Sequence, residues 1–264
     1  MIYRLLGLPC FFVHFILKKC TFHFCDYTSW EKNDNFYFTA SAIEGPWSRQ
    51  GGFAPEGSLT FYSQTTFVLP LIRSGDTIPM FMGDRWSFPH QASAATYVWM
   101  PMQVDGEKLY MPEYWECWDI EKMEKTNPIA GGTVIPHNKY KPGNEADWKV
   151  DNGQLASNIK GSRLEVPFDG TRVAILGESN VHSGYARIYI LDGNRKEVLS
   201  ALVDFYSKNV NQATRFISPE LLKDKYTLVI EVTGISPVWT DKSKARFGSI
   251  DSFVTINDVV VFNN

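Results

Sequence analysis

KYTLVIEVTG, residues 225–234, decides the fold class of this chain. Tyr226, Leu228, Ile230 and Val232 alternate with Thr227, Val229 and Glu231. A period of two puts the first set on one face of an extended strand, toward a core, and the second set on the other. The same pattern recurs on both sides. Upstream stand RLEVPF at 163–168, TRVAILGE at 171–178, ARIYIL at 186–191, EVLSALVDF at 197–205 and TRFI at 214–217. Downstream follow SIDSFVTI at 249–256 and VVVF at 259–262. Asp169-Gly170, Asp192-Gly193 and Asn257-Asp258 read as hairpin-type turns. Only FISPELLKD, at 216–224, suggests a short helical turn. Short strands at this spacing suit a β-sandwich of the jelly-roll kind over residues 145–264.

Toward the N-terminus the pattern lapses. Between Thr126 and Asp147, Pro128, Gly131-Gly132, Pro136 and Pro142-Gly143 punctuate a stretch whose only apolar centre is TVI at 133–135. Residues 126–144 are therefore expected to be a linker. Before it the strand signals return: FYFTASA at 36–42, TTFVLPLI at 65–72, IPMFMG at 78–83, TYVWMPM at 96–102 and KLYMPEYW at 108–115. Ser74-Gly75-Asp76, Gly83-Asp84 and Asp105-Gly106 read as the turns between them. Residues 1–125 form a first all-β domain by this reading.

Composition narrows the function. Lys+Arg 26 against Asp+Glu 29 gives a formal net charge of -3, and no basic run exceeds two residues. A nucleic-acid binder or a polybasic membrane anchor would show a basic stripe. An aromatic content of 14% excludes disorder. Flat amphipathic rings, here including eight Trp and twelve Tyr, suit both sugar faces and the core of a β-protein. Cys10, Cys20, Cys25 and Cys117 form no Cys-x-x-Cys pair, so neither a zinc site nor a disulfide scaffold is expected. His14, His23, His90, His137 and His182 are scattered and make no metal set. No Gly-x-Ser-x-Gly elbow and no glycine-rich phosphate loop is present. The opening MIYRLLGLPCFFVHFILKKC, residues 1–20, is apolar between Arg4 and Lys18-Lys19. Pro9 and His14 interrupt it, and no small-residue cleavage site follows. A degraded export signal and a buried strand pair both remain open.

Further motifs occur in order across the first half: TSWEKND at 28–34, ASAIEGPW at 40–47, SQTTFVLPL at 63–71, MFMGDRW at 80–86, YVWMPM at 97–102 and YWECWDI at 114–120. Together they resemble the last two blades of a glycoside hydrolase family 43 propeller, in the branch similar to exo-β-1,3-galactanases. The resemblance covers residues 20–120 well and residues 1–19 poorly. It implies blades of four antiparallel strands around a central channel, five to a ring. A blade needs about 45–60 residues at ordinary strand and turn lengths. Residues 1–120 thus supply about two blades, which cannot close a ring, and the chain is expected to be a C-terminal, truncated portion.

That expectation bears on catalysis. An inverting glycosidase needs an acid for the leaving oxygen and a base for the attacking water. The resemblance implies acidic positions delivered mostly by blades that would precede Met1. Gly7-Leu8-Pro9 stands where the branch carries an acid two positions before a proline, so Gly7 replaces a carboxylate there. It also implies Gln64 as the group that handles the nucleophilic water. An amide is a poor base and would orient water rather than deprotonate it. Trp30 and Asn33 are implied as cleft residues and Trp86 as a stacking floor for sugar; Asp84 and Arg85 are read as substrate-binding, with Arg85 able to brace an acidic catalytic residue from another blade, or else as a structural ion pair pinning the blade. Asp84 and Arg85 point to opposite faces if extended and can pair only in a turn. Trp47, Trp115 and Trp118 are expected to pack between blades, and Trp99, alternating with Tyr97, suits either role.

Residues 145–264 resemble the β-sandwich modules appended to secreted glycosidases and acetyl esterases, on VPFDGTRVAILGE, GYARIYILDG, KYTLVIEVTG and FGSIDSFVTI. Tyr185, Trp239 and Arg246 are its exposed-looking sugar-binding candidates. Calcium is bound in some such folds, but no dense Asp/Asn run marks a site, and no cofactor is expected. The functional expectation is part of an exported, periplasmic or extracellular glycosidase acting on galactan-like polysaccharide side chains, inactive as this chain. Its partner is a polysaccharide or oligosaccharide, with no nucleic acid and no membrane. The rival is a non-catalytic carbohydrate-binding or bracing protein. An esterase is disfavoured by the missing elbow.

Overall fold

The computed structural model describes residues 12–16, 19–24, 32–73, 76–85, 96–106, 108–151, 153–208, 210–240 and 243–263. The chain is nearly all β, as expected, and divides into two units, residues 1–126 and 127–264.

The first unit opens with four strands in meander order: β1 (Phe12–Ile16), β2 (Lys19–Phe24), β3 (Phe36–Ala40) and β4 (Ser48–Gly52). β1 runs antiparallel to β2, while residues 1–11 of the apolar N-terminal stretch lie outside the described residues. A second meander follows: β5 (Gln64–Arg73), β6 (Asp76–Arg85) and β7 (Thr96–Pro101). Then come the hairpin β8 (Gln103–Asp105) and β9 (Lys108–Tyr110), and the short pair β10 (Trp118–Asp119) and β11 (Glu124–Lys125). Tyr37 of the first meander shares a core with Val68, Phe81, Val98 and Met100 of the second, joined by Phe53, Met111 and Trp115. The Tyr37 hydroxyl accepts from Leu109 N–H at 3.0 Å, fixing the β8–β9 hairpin to this core. KLYMPEYW is strand only over Lys108–Tyr110; beyond it the backbone is held by single contacts, such as Met111 N–H to the Phe53 carbonyl.

The second unit comprises β12 (Thr133–Val134), β13 (Lys141–Pro142), β14 (Lys149–Asp151), β15 (Gln154–Ser157), β16 (Arg163–Gly170), β17 (Arg172–Ser179) and β18 (Tyr185–Leu191). It continues with β19 (Glu197–Asp204), β20 (Asn211–Ile217), β21 (Asp224–Val232), β22 (Val238–Thr240), β23 (Arg246–Gly248) and β24 (Val254–Phe262). One sheet runs β14-β15-β24-β17-β20 with β12 added on β24, and the other runs β13-β16-β21-β18-β19. Both contribute alternate residues to one core: Leu164, Val166, Ile188, Ile190, Leu228 and Ile230 from one sheet, Val173, Ile175, Val254 and Ile256 from the other. Every one of these is fully buried.

Four sequence expectations are corrected here. Residues 126–144 are not a free linker: β12 pairs with β24, β13 pairs with β16, and Ile135 and Tyr140 lie in the core of the second unit. The Tyr140 hydroxyl accepts from the buried Val259 N–H at 2.8 Å. Asp169-Gly170 is not a hairpin, because β16 and β17 belong to different sheets and the chain crosses between them. Asn257-Asp258 is a bulge within β24, where the register against β17 shifts, so SIDSFVTI and VVVF merge into one strand. FISPELLKD forms no helical turn; Ser218 and Leu221 donate instead to the Val173 and Thr171 carbonyls.

Candidate functional site

The start of β5 carries the densest buried polar cluster of the first unit: Asn33, Asn35, Thr60, Ser63, Gln64 and Thr65, none more than 6% exposed. It is built around an unusual turn. Leu59, Thr60, Phe61 and Tyr62 all have positive φ, between 48° and 63°, so the chain makes one left-handed helical turn without a glycine. Each such residue costs about 1–2 kcal/mol because its Cβ crowds the following carbonyl. Tertiary hydrogen bonds hold the turn against that preference. Thr60 Oγ1 donates to the Asn33 carbonyl at 2.9 Å and accepts from Asn35 N–H at 2.8 Å. Ser63 Oγ donates to the Thr60 carbonyl at 2.6 Å. Arg85 Nε donates to the Phe61 carbonyl at 3.2 Å.

Asn35 then brackets Gln64. Its Nδ2 donates to the carbonyls of Asn33 and Ser63, at 3.1 and 3.2 Å. Its Oδ1 accepts from the backbone N–H and the hydroxyl of Thr65, at 3.0 and 2.9 Å. Two donors and two lone pairs are all a side-chain amide has. Asn35 is therefore saturated, and it fixes the residues on either side of Gln64.

Gln64 is paired with Asp84 of β6, and Asp84 with Tyr97 of β7. Directly opposed residues in antiparallel strands share a face, so the three form one row across the sheet. Gly83, beside Asp84, is required there: a Cβ would stand 2.6 Å from the Phe81 ring and 2.8 Å from Ser63 Oγ. Asp84 and Arg85 lie in strand rather than in the expected turn, so they face opposite sides and do not form the structural ion pair. Arg85 instead grips the left-handed turn and places its guanidinium 4.9 Å from the Tyr114 ring. Of the sequence-derived site residues, Asn33, Gln64, Asp84 and Arg85 converge on this end of the sheet, while Gly7, Trp30 and Trp86 lie outside the described residues.

Further along β7 a cleft of about 300 Å³ opens between Tyr97, Trp99, Tyr114, Trp115 and Glu116. The Tyr97 and Trp99 rings are 5.7 Å apart at 42°. Trp115 is nearly buried in the core, and Trp118 donates its indole N–H to the Trp99 carbonyl at 2.8 Å. Beside the cleft, a hydrogen bond from Lys125 Nζ, 2.5 Å from Glu113 Oε2, holds the Glu113 carboxyl below the ordinary range. Sequence reasoning missed Asn35, Thr60, Ser63 and Tyr114. Only the polar residues Thr60, Ser63 and Gln64 in an otherwise apolar strand setting signalled them.

In the second unit the sugar-binding candidates separate. Trp239 is half-buried: its indole nitrogen is buried without a partner among the described residues, and its ring packs over Gly248 and edge-on to Tyr206. Tyr185 is half-buried, and its carbonyl accepts from Thr233 Oγ1 at 2.8 Å. Arg246 is exposed. Among the described residues no three His, Cys, Asp or Glu side chains come together to hold a metal ion, and no helix is long and apolar enough to cross a membrane.

No family model and no curated protein matches this chain. Solved structures do. An exo-β-1,3-galactanase from Phanerochaete chrysosporium, crystallised with galactose, is 19% identical at a TM-score of 0.46 over 97% of this chain and 57% of its own. A putative exo-β-1,3-galactanase from Bifidobacterium bifidum is 31% identical at a TM-score of 0.35, over 41% of this chain and 34% of its own. A two-domain esterase active on acetylated mannans is 9% identical at a TM-score of 0.35, over 53% and 40%. The chain thus spans little more than half the length of the Phanerochaete enzyme.

Proposed function

We propose that this chain is a carbohydrate-handling region of a glycoside hydrolase acting on galactan-like side chains outside the cytoplasm. The observation that supports it is the row Gln64–Asp84–Tyr97 on one sheet face, rigidly bracketed by Asn35 and leading to an aromatic cleft. Gln64 orients the nucleophilic water through its amide. Asp84 lies beside it on the same face, Asn33 belongs to the same buried cluster, Arg85 on the opposite face secures the adjoining turn, and Trp30 and Trp86 are substrate-binding candidates by resemblance alone. In a catalytically complete protein containing it, Gln64→Ala lowers kcat far more than it raises KM, because a water-orienting group acts in the transition state, at about 2.7–4 kcal/mol. An unchanged kcat removes Gln64 from the mechanism.

One observation favours the non-catalytic reading: Gln64 is only 2% exposed. A side chain so enclosed also serves as a structural hydrogen bonder. The two readings part on the same assay, since a structural Gln64 costs stability and leaves kcat per folded molecule unchanged.

A further inference from the structure

The cleft along β7 lies beyond Gln64 and Asp84, and none of its lining residues takes part in the chemistry proposed above. Its walls are held in place. Trp99 is anchored through its carbonyl by the Trp118 indole, and Tyr114 is held by the Phe61 ring at 5.8 Å and by the Arg85 guanidinium. Its rings are nevertheless open to solvent: Tyr97 is 61% exposed, Trp99 50% and Tyr114 39%. A V-shaped aromatic pair that is fixed yet wet presents apolar faces with polar edges, the Tyr hydroxyls and the Trp N–H. Glu116 adds a carboxylate at the exposed rim, and the lining carries no cation.

We infer that this cleft binds a neutral pyranose, stacked on Trp99 and Tyr97 with its hydroxyls directed to Glu116 and Tyr114. Pyranoses offer an axial C–H face to an aromatic ring and donor hydroxyls to a carboxylate. An anionic sugar would meet the Glu116 carboxylate, while the nearby Arg85 guanidinium is already engaged by the Tyr114 ring and the Phe61 carbonyl, so a neutral sugar is favoured. Its volume, at the lower end of the range for small-ligand pockets, accommodates one or two rings rather than a long chain. Because Tyr97 belongs both to the cleft and to the Gln64 row, a bound saccharide extends along the sheet face toward Gln64. The inference rests on the carbohydrate reading above but not on catalysis.

The test titrates the 264-residue chain with β-1,3-galactobiose, β-1,3-galactotriose and a galacturonic acid dimer, following tryptophan fluorescence and calorimetric heat. The neutral sugars are expected to saturate with millimolar Kd and the uronate not to bind. Trp99→Ala is expected to weaken binding about tenfold or more through lost stacking area, and Tyr97→Ala somewhat less. Leu222→Ala, at an exposed position of the second unit, is expected to keep wild-type binding. An unchanged melting temperature confirms that Trp99→Ala remains folded; if it does not, Trp99→Leu and Tyr97→Ala carry the test. Wild-type affinity in the Trp99 and Tyr97 variants, with neutral sugars bound, overturns the cleft and leaves the carbohydrate reading standing. No saturable binding by the wild-type chain overturns both. Concentration-dependent dimerisation that buries Trp99 also overturns the site, assigning the rings to an interface between copies.

Discussion

The two units bury different things. The second fills its interior with alternate apolar residues from its two sheets, and among the described residues its buried polar side chains are all Ser and Thr hydroxyls, such as Ser218 and Ser249, with no buried amide. The first has a similar apolar core but adds a knot of buried polar side chains around a turn whose backbone is held in the left-handed region. Burial of aliphatic surface stabilises wherever it occurs, at roughly 25 cal/mol per Å². Buried amides and hydroxyls contribute little net even when satisfied, and left-handed residues cost energy outright. A chain carries such an arrangement where a particular side chain must be presented, and strained backbone concentrates at functional positions for that reason. Under the proposed function the side chain held there is Gln64, enclosed at 2% exposure.

The largest expected effect concerns the boundary of the second unit. A fragment of residues 127–264 should unfold cooperatively, while one of residues 145–264 lacks β12, β13, Ile135 and Tyr140. Losing two buried side chains costs about 2–5 kcal/mol each, so the shorter fragment should melt far lower or not cooperatively. Equal melting temperatures would restore residues 126–144 to a linker.

Next in size is Asn35→Ala, which strands the Thr65 N–H without its side-chain partner and leaves the Ser63 carbonyl only the long bond from the Asn33 N–H. Orphaned buried groups cost about 1–3 kcal/mol each, and urea denaturation of the full chain should show a loss at the upper end of that range. A loss below 0.5 kcal/mol, well under that range, would mean that water replaces the amide and that Asn35 does not bracket Gln64.

Tyr140 offers a pH-dependent test in the second unit. Burial pushes its hydroxyl up to about 12, above the ordinary value of 10.0. A folded-state value raised above the unfolded one means that the neutral form is favoured by folding. That stability is fully present below pH 10 and is lost as the pH rises through about 12. Tyr140→Phe should flatten this alkaline loss while costing roughly 1 kcal/mol at neutral pH, because Val259 N–H loses its acceptor. An alkaline profile identical to wild type would show that another group governs it.

The same contrast explains what the sequence revealed. In KYTLVIEVTG the alternation is local, and Leu228, Ile230 and Val232 are all fully buried where the period puts them. Resemblance brought Asn33, Gln64, Asp84 and Arg85 into view, and strand pairing gathers them at one end of a sheet. The left-handed turn was not legible, because Leu, Thr, Phe and Tyr all avoid positive φ. Its conformation is imposed by Asn33 and Asn35, some 25 residues away in sequence. Residues 126–144 misled for a different reason. Two-residue strands are too short to show a period, and Ile135 and Tyr140 stand alone among prolines and glycines that resemble those of a linker.

The strain beside Gln64 is tested most directly at Tyr62, which has φ of 63° and is 53% exposed. Tyr62→Ala and Tyr62→Gly both remove the same ring, including its contact with Lys32, and differ only in the backbone. Urea unfolding of the full chain can be followed by tryptophan fluorescence, since six of the eight tryptophans lie in the first unit. A left-handed residue favours glycine, so the Gly variant should be more stable than the Ala variant by about 1 kcal/mol. In ordinary backbone the sign reverses, because glycine loses more freedom on folding, by roughly 0.5–1 kcal/mol. An Ala variant more stable than the Gly variant would therefore contradict the strained turn on which the presentation of Gln64 depends.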